Sequence, residues 1–149
     1  MSNELSFPLP GDSVLESYNI KVRNRDYSES FGQIVCYVSG MVVLTVDDSH
    51  YTYWCVDDVF HALCEIRLAM EKDGKIPLVN GANRHALVTG MAISMGGGYR
   101  VYLNPKMEPL GEGIPVVDTF GSDYVTDPVY VSEQDAFRRA FWQKYRTEA

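Results

Sequence analysis

Residues 34–54, IVCYVSGMVVLTVDDSHYTYW, hold three β-branched and aromatic runs, IVCYV, MVVLTV and YTYW. They are separated by SG and DDSH, both good turn formers, so the economical reading is consecutive strands joined by short turns, an antiparallel meander. The unbroken apolar run MVVL suits an interior strand covered on both faces.

Working outward, SYNIKVRN places Tyr18, Ile20 and Val22 at alternate positions, the period of a half-buried strand, with Lys21 and Arg23 on its other face. Residues 1–17, rich in Pro, Gly and Ser, are expected to run over the surface as a lead-in. After the meander the period changes. Val56, Val59, Phe60, Leu63, Ile66 and Met70 step by threes and fours towards a glycine stop at Gly74, which predicts a helix over 56–73 with Asp57, Asp58, Glu65 and Glu71 facing water. HALVTGMAISM and YRVYLNP read as two more strands around the glycine triplet 96–98, and VVDTF as a short strand. A second helix is expected from a Ser132 cap to Arg146, with Phe137, Phe141 and Tyr145 as its buried stripe. The expected fold is α+β, a mainly antiparallel sheet with two amphipathic helices packed on it, as one domain over residues 1–149.

Composition narrows the function. A chain of 149 residues with 46% hydrophobic content can bury a substantial core. Its 20 acids outnumber 13 Lys and Arg, giving a net charge of −7 that opposes attraction to a nucleic-acid backbone. The N-terminal residues lack the basic start and apolar run of a signal peptide, and no stretch is long and apolar enough to span a bilayer, so the expectation is a cytoplasmic protein with no membrane partner. Cys36, Cys55 and Cys64 are odd in number and form no Cys-x-x-Cys pair, as expected of reduced thiols.

Each apparent chemical motif has a plainer reading. A phosphate-binding glycine loop leads from a strand into a helix, whereas this triplet leads into the alternating run YRVYLN and has no Gly-Lys-Ser/Thr. The expected role of Gly96, Gly97 and Gly98 is therefore a tight turn. Cys55, His61 and Cys64 fall short of the four ligands of a structural zinc site, and no metal or cofactor is expected. Cys55, at a strand-to-helix junction, is the one thiol placed to act as a nucleophile with a histidine such as His85, although Asp57 and Asp58 oppose a thiolate there. The pairs Asp47–Asp48 and Asp57–Asp58 suit a turn and a helix start.

The charge distribution after Met107 is more informative. Glu108, Glu112, Asp118, Asp123, Asp127, Glu133 and Asp135 occur with no Lys or Arg among them, interspersed with Phe120, Tyr124 and Tyr130. Aromatic residues ringed by charge are a usual composition for a protein-recognition surface. Arg138 and Trp142, four apart on the last predicted helix, could stack and leave Trp142 partly exposed as an anchor. Asp118, Phe120, Asp123, Tyr124, Asp127, Tyr130 and Trp142 are thus the candidate partner-binding residues.

The order of a helix VDDVFHALCEIRLAMEKDG, then Asn-Gly-Ala, Gly-Met, Met-Gly-Gly-Gly and a tyrosine-bearing strand, over residues 56–105, resembles small bacterial immunity proteins associated with Rhs-type polymorphic toxins. The resemblance implies a non-enzymatic protein that binds and occludes a cognate toxin domain, with Gly81, Gly90, Gly96, Gly97 and Gly98 serving geometry. It carries over no catalytic residue. Two alternatives stay open: a small Cys55-dependent hydrolase or transferase, and a homo-oligomeric ligand-binding accessory domain.

Overall fold

The computed structural model describes residues 9–55 and 57–146. The chain runs β1 (Val14–Arg23), β2 (Glu29–Tyr37), β3 (Met41–Val46), β4 (Ser49–Trp54), α1 (Val59–Glu71) and β5 (Ile76–Pro77), then a 3-10 turn at Asn80–Ala82. There follow β6 (Ala86–Leu87), α2 (Gly90–Gly96), β7 (Arg100–Leu103), β8 (Val116–Asp118) and α3 (Val131–Arg146). The first four strands form the expected antiparallel meander, and β5 adds to β1, giving the order β4-β3-β2-β1-β5. A second antiparallel sheet has the order β6-β7-β8. The fold is α+β and mainly sheet.

Strand β3 is interior and almost wholly buried, as its uninterrupted apolar run requires. On one face of the sheet Ile20, Val22, Ile34, Val42 and Leu44 meet Leu63, Ile66 and Met70 of α1. Each such side chain taken out of water contributes about 1.5–3 kcal/mol. On the other face Tyr37, Met41 and Val43 form a smaller cluster against Leu9 and Val35. Helix α1 also serves the second sheet, because Phe60 packs with Ala86, Val101, Leu103 and Val117. One helix therefore joins two sheets. Asp58 caps its start by accepting from the His61 N–H at 3.0 Å, so the acid predicted for the first turn is the cap itself. The start predicted at Val56 lies outside the described residues.

Three expectations need correction. Residues 14–17 are not a surface lead-in but the first part of β1, and residues 1–8 lie outside the described chain. In HALVTGMAISM only Ala86–Leu87 is strand, and Gly90–Gly96 is helical. The Thr89 hydroxyl starts this helix by accepting from the Ala92 N–H, and Gly97 ends it in the left-handed region with its N–H on the Ile93 carbonyl. A short apolar run fits both periods, and here the caps decide. Finally, α3 begins at Val131, whose N–H donates to Glu71 Oε2 at 2.7 Å, so Ser132 lies within the helix and not at its cap.

The glycine triplet consequently joins a helix to a strand and does not close a hairpin. Gly97 and Gly98 have φ of +65° and +78°. A Cβ on Gly98 would lie 2.7 Å from Asp58 Oδ1 and 2.9 Å from the Phe60 nitrogen, at the start of α1. A Cβ on Gly81 would lie 2.8 Å from Thr119 Cγ2 and 2.9 Å from Leu63 Cδ2. Gly90 and Gly96 meet nothing within 4 Å, so these two are not required by space. Replacing Gly98 by Ala should destabilise the fold by about 1–3 kcal/mol, through strain and overlap. Gly90→Ala, in an open helical position, should be neutral or stabilising by up to about 1 kcal/mol. Equal denaturant midpoints for the two variants would refute this account.

Candidate functional site

Residues 119–130 cross the molecule from β8 to α3 without regular structure beyond one bridge from Pro128 to Asn83. Such a strap must satisfy its backbone groups by other means, and two fully buried asparagines do so. Asn80 accepts the Tyr124 N–H at 2.9 Å and donates to the Asp118 carbonyl at 2.9 Å. Asn83 Oδ1 accepts the N–H groups of Thr126 and Asp127, both at 2.9 Å, and its amide donates to the carbonyls of Asn80 and Tyr124. Main-chain bonds from Asn80, Gly81 and Arg84 to the carbonyls of Gly121, Thr119 and Asp127 add to this register.

The far end of the strap is locked by a second buried network. Arg67 of α1 is 1% exposed and donates to Gln134 Oε1 at 2.6 Å and to the Val129 carbonyl at 2.8 Å. The Gln134 amide donates in turn to the carbonyls of Gly81 and Asn83. Burial pulls the Arg67 pKa below its ordinary value. Nothing in the periodicity singles out these four residues, since an Arg or Gln on a helix usually faces water. A polar residue next to an apolar stripe position is the faint signal they leave.

The strap forms a ridge between hollows. On one side Ser122, Val125, Thr126 and Pro128 line a groove of about 480 Å³ shared with β1 and Phe31. On the other, Tyr124 and Thr126 line a hollow of about 450 Å³ with His85, Leu103 and Ile114. Tyr124 is 51% exposed on this ridge.

The other candidate residues divide. Asp118 and Asp123 are exposed, Asp123 also accepting from the Asn80 amide at 3.2 Å. Asp127 is half-buried and pairs with Arg84 at 2.9 Å, which also reaches Glu133 at 3.3 Å. The half-buried Tyr130 offers its carbonyl to the first turn of α3. Phe120 is not a surface contact: it is 1% exposed and lies against Tyr18 and Tyr99 in the core. Arg138 does not stack on Trp142 but donates to Asp135 at 2.6 Å. Trp142 packs edge-on against Phe141 and lines a separate hollow with Arg138, Arg139 and Arg146. The acidic run is therefore not one-signed in space, because Arg84 and Arg138 reach three of its members.

The exposed aromatics Phe31 and Tyr27, 81% and 79% exposed, were not among the candidates. Phe31 stands in register with Lys21, and its apolar ring on the polar face of a strand was the available signal.

The thiols and histidines are dispersed. Burial pushes Cys36 and Cys64 up to about 11, which keeps both as thiols at neutral pH. Cys55 Sγ lies 3.9 Å from Asp57 Oδ1, while His61 faces Tyr53 and Glu65, and His85 Nε2 is 3.2 Å from the Thr126 hydroxyl. Among the described residues no group of three or more His, Cys, Asp or Glu could hold a metal ion, and no helix is long and apolar enough to cross a membrane. Searches against protein-family models and curated proteins found no match.

Two predictions follow from this arrangement. Asn83→Ala strands the N–H groups of Thr126 and Asp127 and should cost about 2–4 kcal/mol, with faster amide exchange confined first to residues 124–127. Unchanged exchange there would refute the role given to Asn83. His85 is held neutral, its pKa lowered by burial, so the native state binds its proton less readily than the unfolded chain. Its contribution to stability should be present above the ordinary value of 6.5 and decline as pH falls below it. His85→Gln should flatten that part of the stability profile relative to the native chain, and parallel profiles would exclude His85 as the source.

Proposed function

We propose that this chain is a non-enzymatic immunity protein that binds a toxin domain in the cytoplasm and occludes its active or substrate-binding surface. The observation that carries this reading is Tyr124, half-exposed on a ridge whose backbone is fixed by buried side chains and flanked by two hollows. A large, pre-positioned aromatic loses little conformational freedom on binding, which is what gives such anchors their weight in protein interfaces. Asp118 and Asp123, exposed beside the ridge, would draw a basic partner and speed encounter. The resemblance of residues 56–105 to Rhs-associated immunity proteins supports the same partner class, and three free cysteines suit a reducing compartment.

The test is to clone the adjacent reading frame, which this proposal expects to encode a toxin domain, and to co-express the two. The chain should co-purify with that domain and restore growth. Tyr124→Ala should weaken the complex by about 2 kcal/mol or more, roughly thirtyfold, without loss of fold. Raising salt from low to physiological strength should slow association about tenfold. A toxin that neither binds the chain nor is silenced by it would overturn the reading, and a salt-independent on-rate would remove the two aspartates from it.

A further inference from the structure

Strand β1 has 10 residues, yet β5 pairs with it only at Val22 and Arg23, with one further bond from the Leu78 N–H to the Lys21 carbonyl. Alternate residues of a strand turn their N–H and C=O to the same side. The Lys21 carbonyl therefore sets the parity, and Asn19 and Ser17 aim their backbone groups towards the same edge. No described strand stands beyond them, since β5 is the last strand on that side. An unpaired row of donors and acceptors is a template for another chain.

The groove of about 480 Å³ runs beside this edge, with Asn19, Lys21 and Arg23 from β1, Phe31 from β2, and Leu78 and Val125 among its walls. Its chemistry alternates. Lys21 and Arg23 share the outer face of β1 with the exposed Phe31 ring, and Lys21 lies 5.9 Å from the centre of that ring. Lys21 meets Glu29 at only 3.9 Å, with both side chains about half-exposed, and Arg23 has no carboxylate partner among the described residues. Leu78, Val125 and Ile20 supply an apolar wall. In a chain of net charge −7 this is a local basic edge.

We propose that an extended segment of a partner protein adds to β1 as a further strand in this groove, with side chains that alternate between acidic and apolar. Its backbone pairs with Ser17 and Asn19. Its acidic side chains meet Lys21 and Arg23, and its apolar ones face Leu78 and Val125. This is the strand-addition mode of peptide recognition, in which the main chain supplies affinity and alternate side chains supply selectivity. The inference rests on reading the chain as a protein-binding module, and is independent of whether Tyr124 is an anchor.

The probe is a labelled decapeptide of alternating Glu and Val, with a Lys–Val decapeptide as control, followed by fluorescence anisotropy and amide exchange on the full chain. The acidic peptide should bind, the basic one should not, and exchange at the Ser17 and Asn19 amides should slow in the complex. Asn19→Pro, a substitution that edge strands tolerate, and Arg23→Glu should each weaken binding about tenfold or more. The exchange measurement on the unaltered chain keeps the test decisive if the proline variant fails to fold. Absence of binding, equal binding of the two peptides, or unchanged exchange at Ser17 and Asn19 would overturn the proposal. A concentration-dependent dimer abolished by Asn19→Pro would overturn it too, by assigning the edge to a second copy of this chain. Capture of the toxin through Tyr124 is read separately: it would survive failure of the groove, and its own failure would leave peptide binding in place.

Discussion

A backbone that crosses a protein without a strand ladder or a helix must still find a partner for each buried N–H and C=O, and the segment between β8 and α3 lives under that constraint. Asn80 and Asn83 meet it with side-chain amides that act as a substitute strand, holding Tyr124, Thr126 and Asp127 in fixed register. The guanidinium of Arg67 extends the network through Gln134 to α3. Burying a cation among neutral acceptors is costly, and removing one partner of such a group costs more than the pair contributes. The arrangement therefore favours a single geometry for the strap over marginal gains in stability. A rigid ridge is what an interface built on one half-exposed aromatic needs.

How much of this was legible depends on the range of each interaction. The meander and α1 could be read because alternation and the three-to-four stripe are local properties, and residues 20, 22, 34, 63, 66 and 70 are buried as the pattern requires. Helix α2 was misread because seven residues are too few to separate the two periods, and the deciding groups, the Thr89 hydroxyl and Gly97, stand outside the apolar run. The asparagine pair was not legible at all. Asn83 meets the Tyr124 carbonyl 41 residues later in the chain, and no local pattern encodes such a contact.

The acidic run shows the same limit in electrostatic form. Between residues 108 and 135 the chain carries only acids, and a linear reading gives a surface of one sign. Folding brings Arg84 to Asp127 and Glu133 across 43 and 49 residues, so the C-terminal part of the run is paired. The exposed acids of the run with no Lys or Arg partner among the described residues are Glu108, Glu112, Asp118 and Asp123. Across the groove from the strap Lys21 and Arg23 give the contrary sign, so the surface beside the strap of this acidic protein carries both signs.

The glycine bend ties these parts together. At the start of a helix, free N–H groups and the dipole make a ready anion site, and a phosphate-binding loop uses it for a ligand. Here the site is filled from within: Asp58 accepts from His61, and the Gly97 carbonyl accepts from Val59 at 2.8 Å. Gly98 has no room for a side chain because it is pressed against these groups, and its own carbonyl takes the Thr119 hydroxyl at 2.7 Å. The bend thus fastens the second sheet to α1 and, through Thr119, sets where the strap begins. A ligand phosphate would have to displace the Asp58 carboxylate and the contacts that depend on it, so the glycines serve the strap by position.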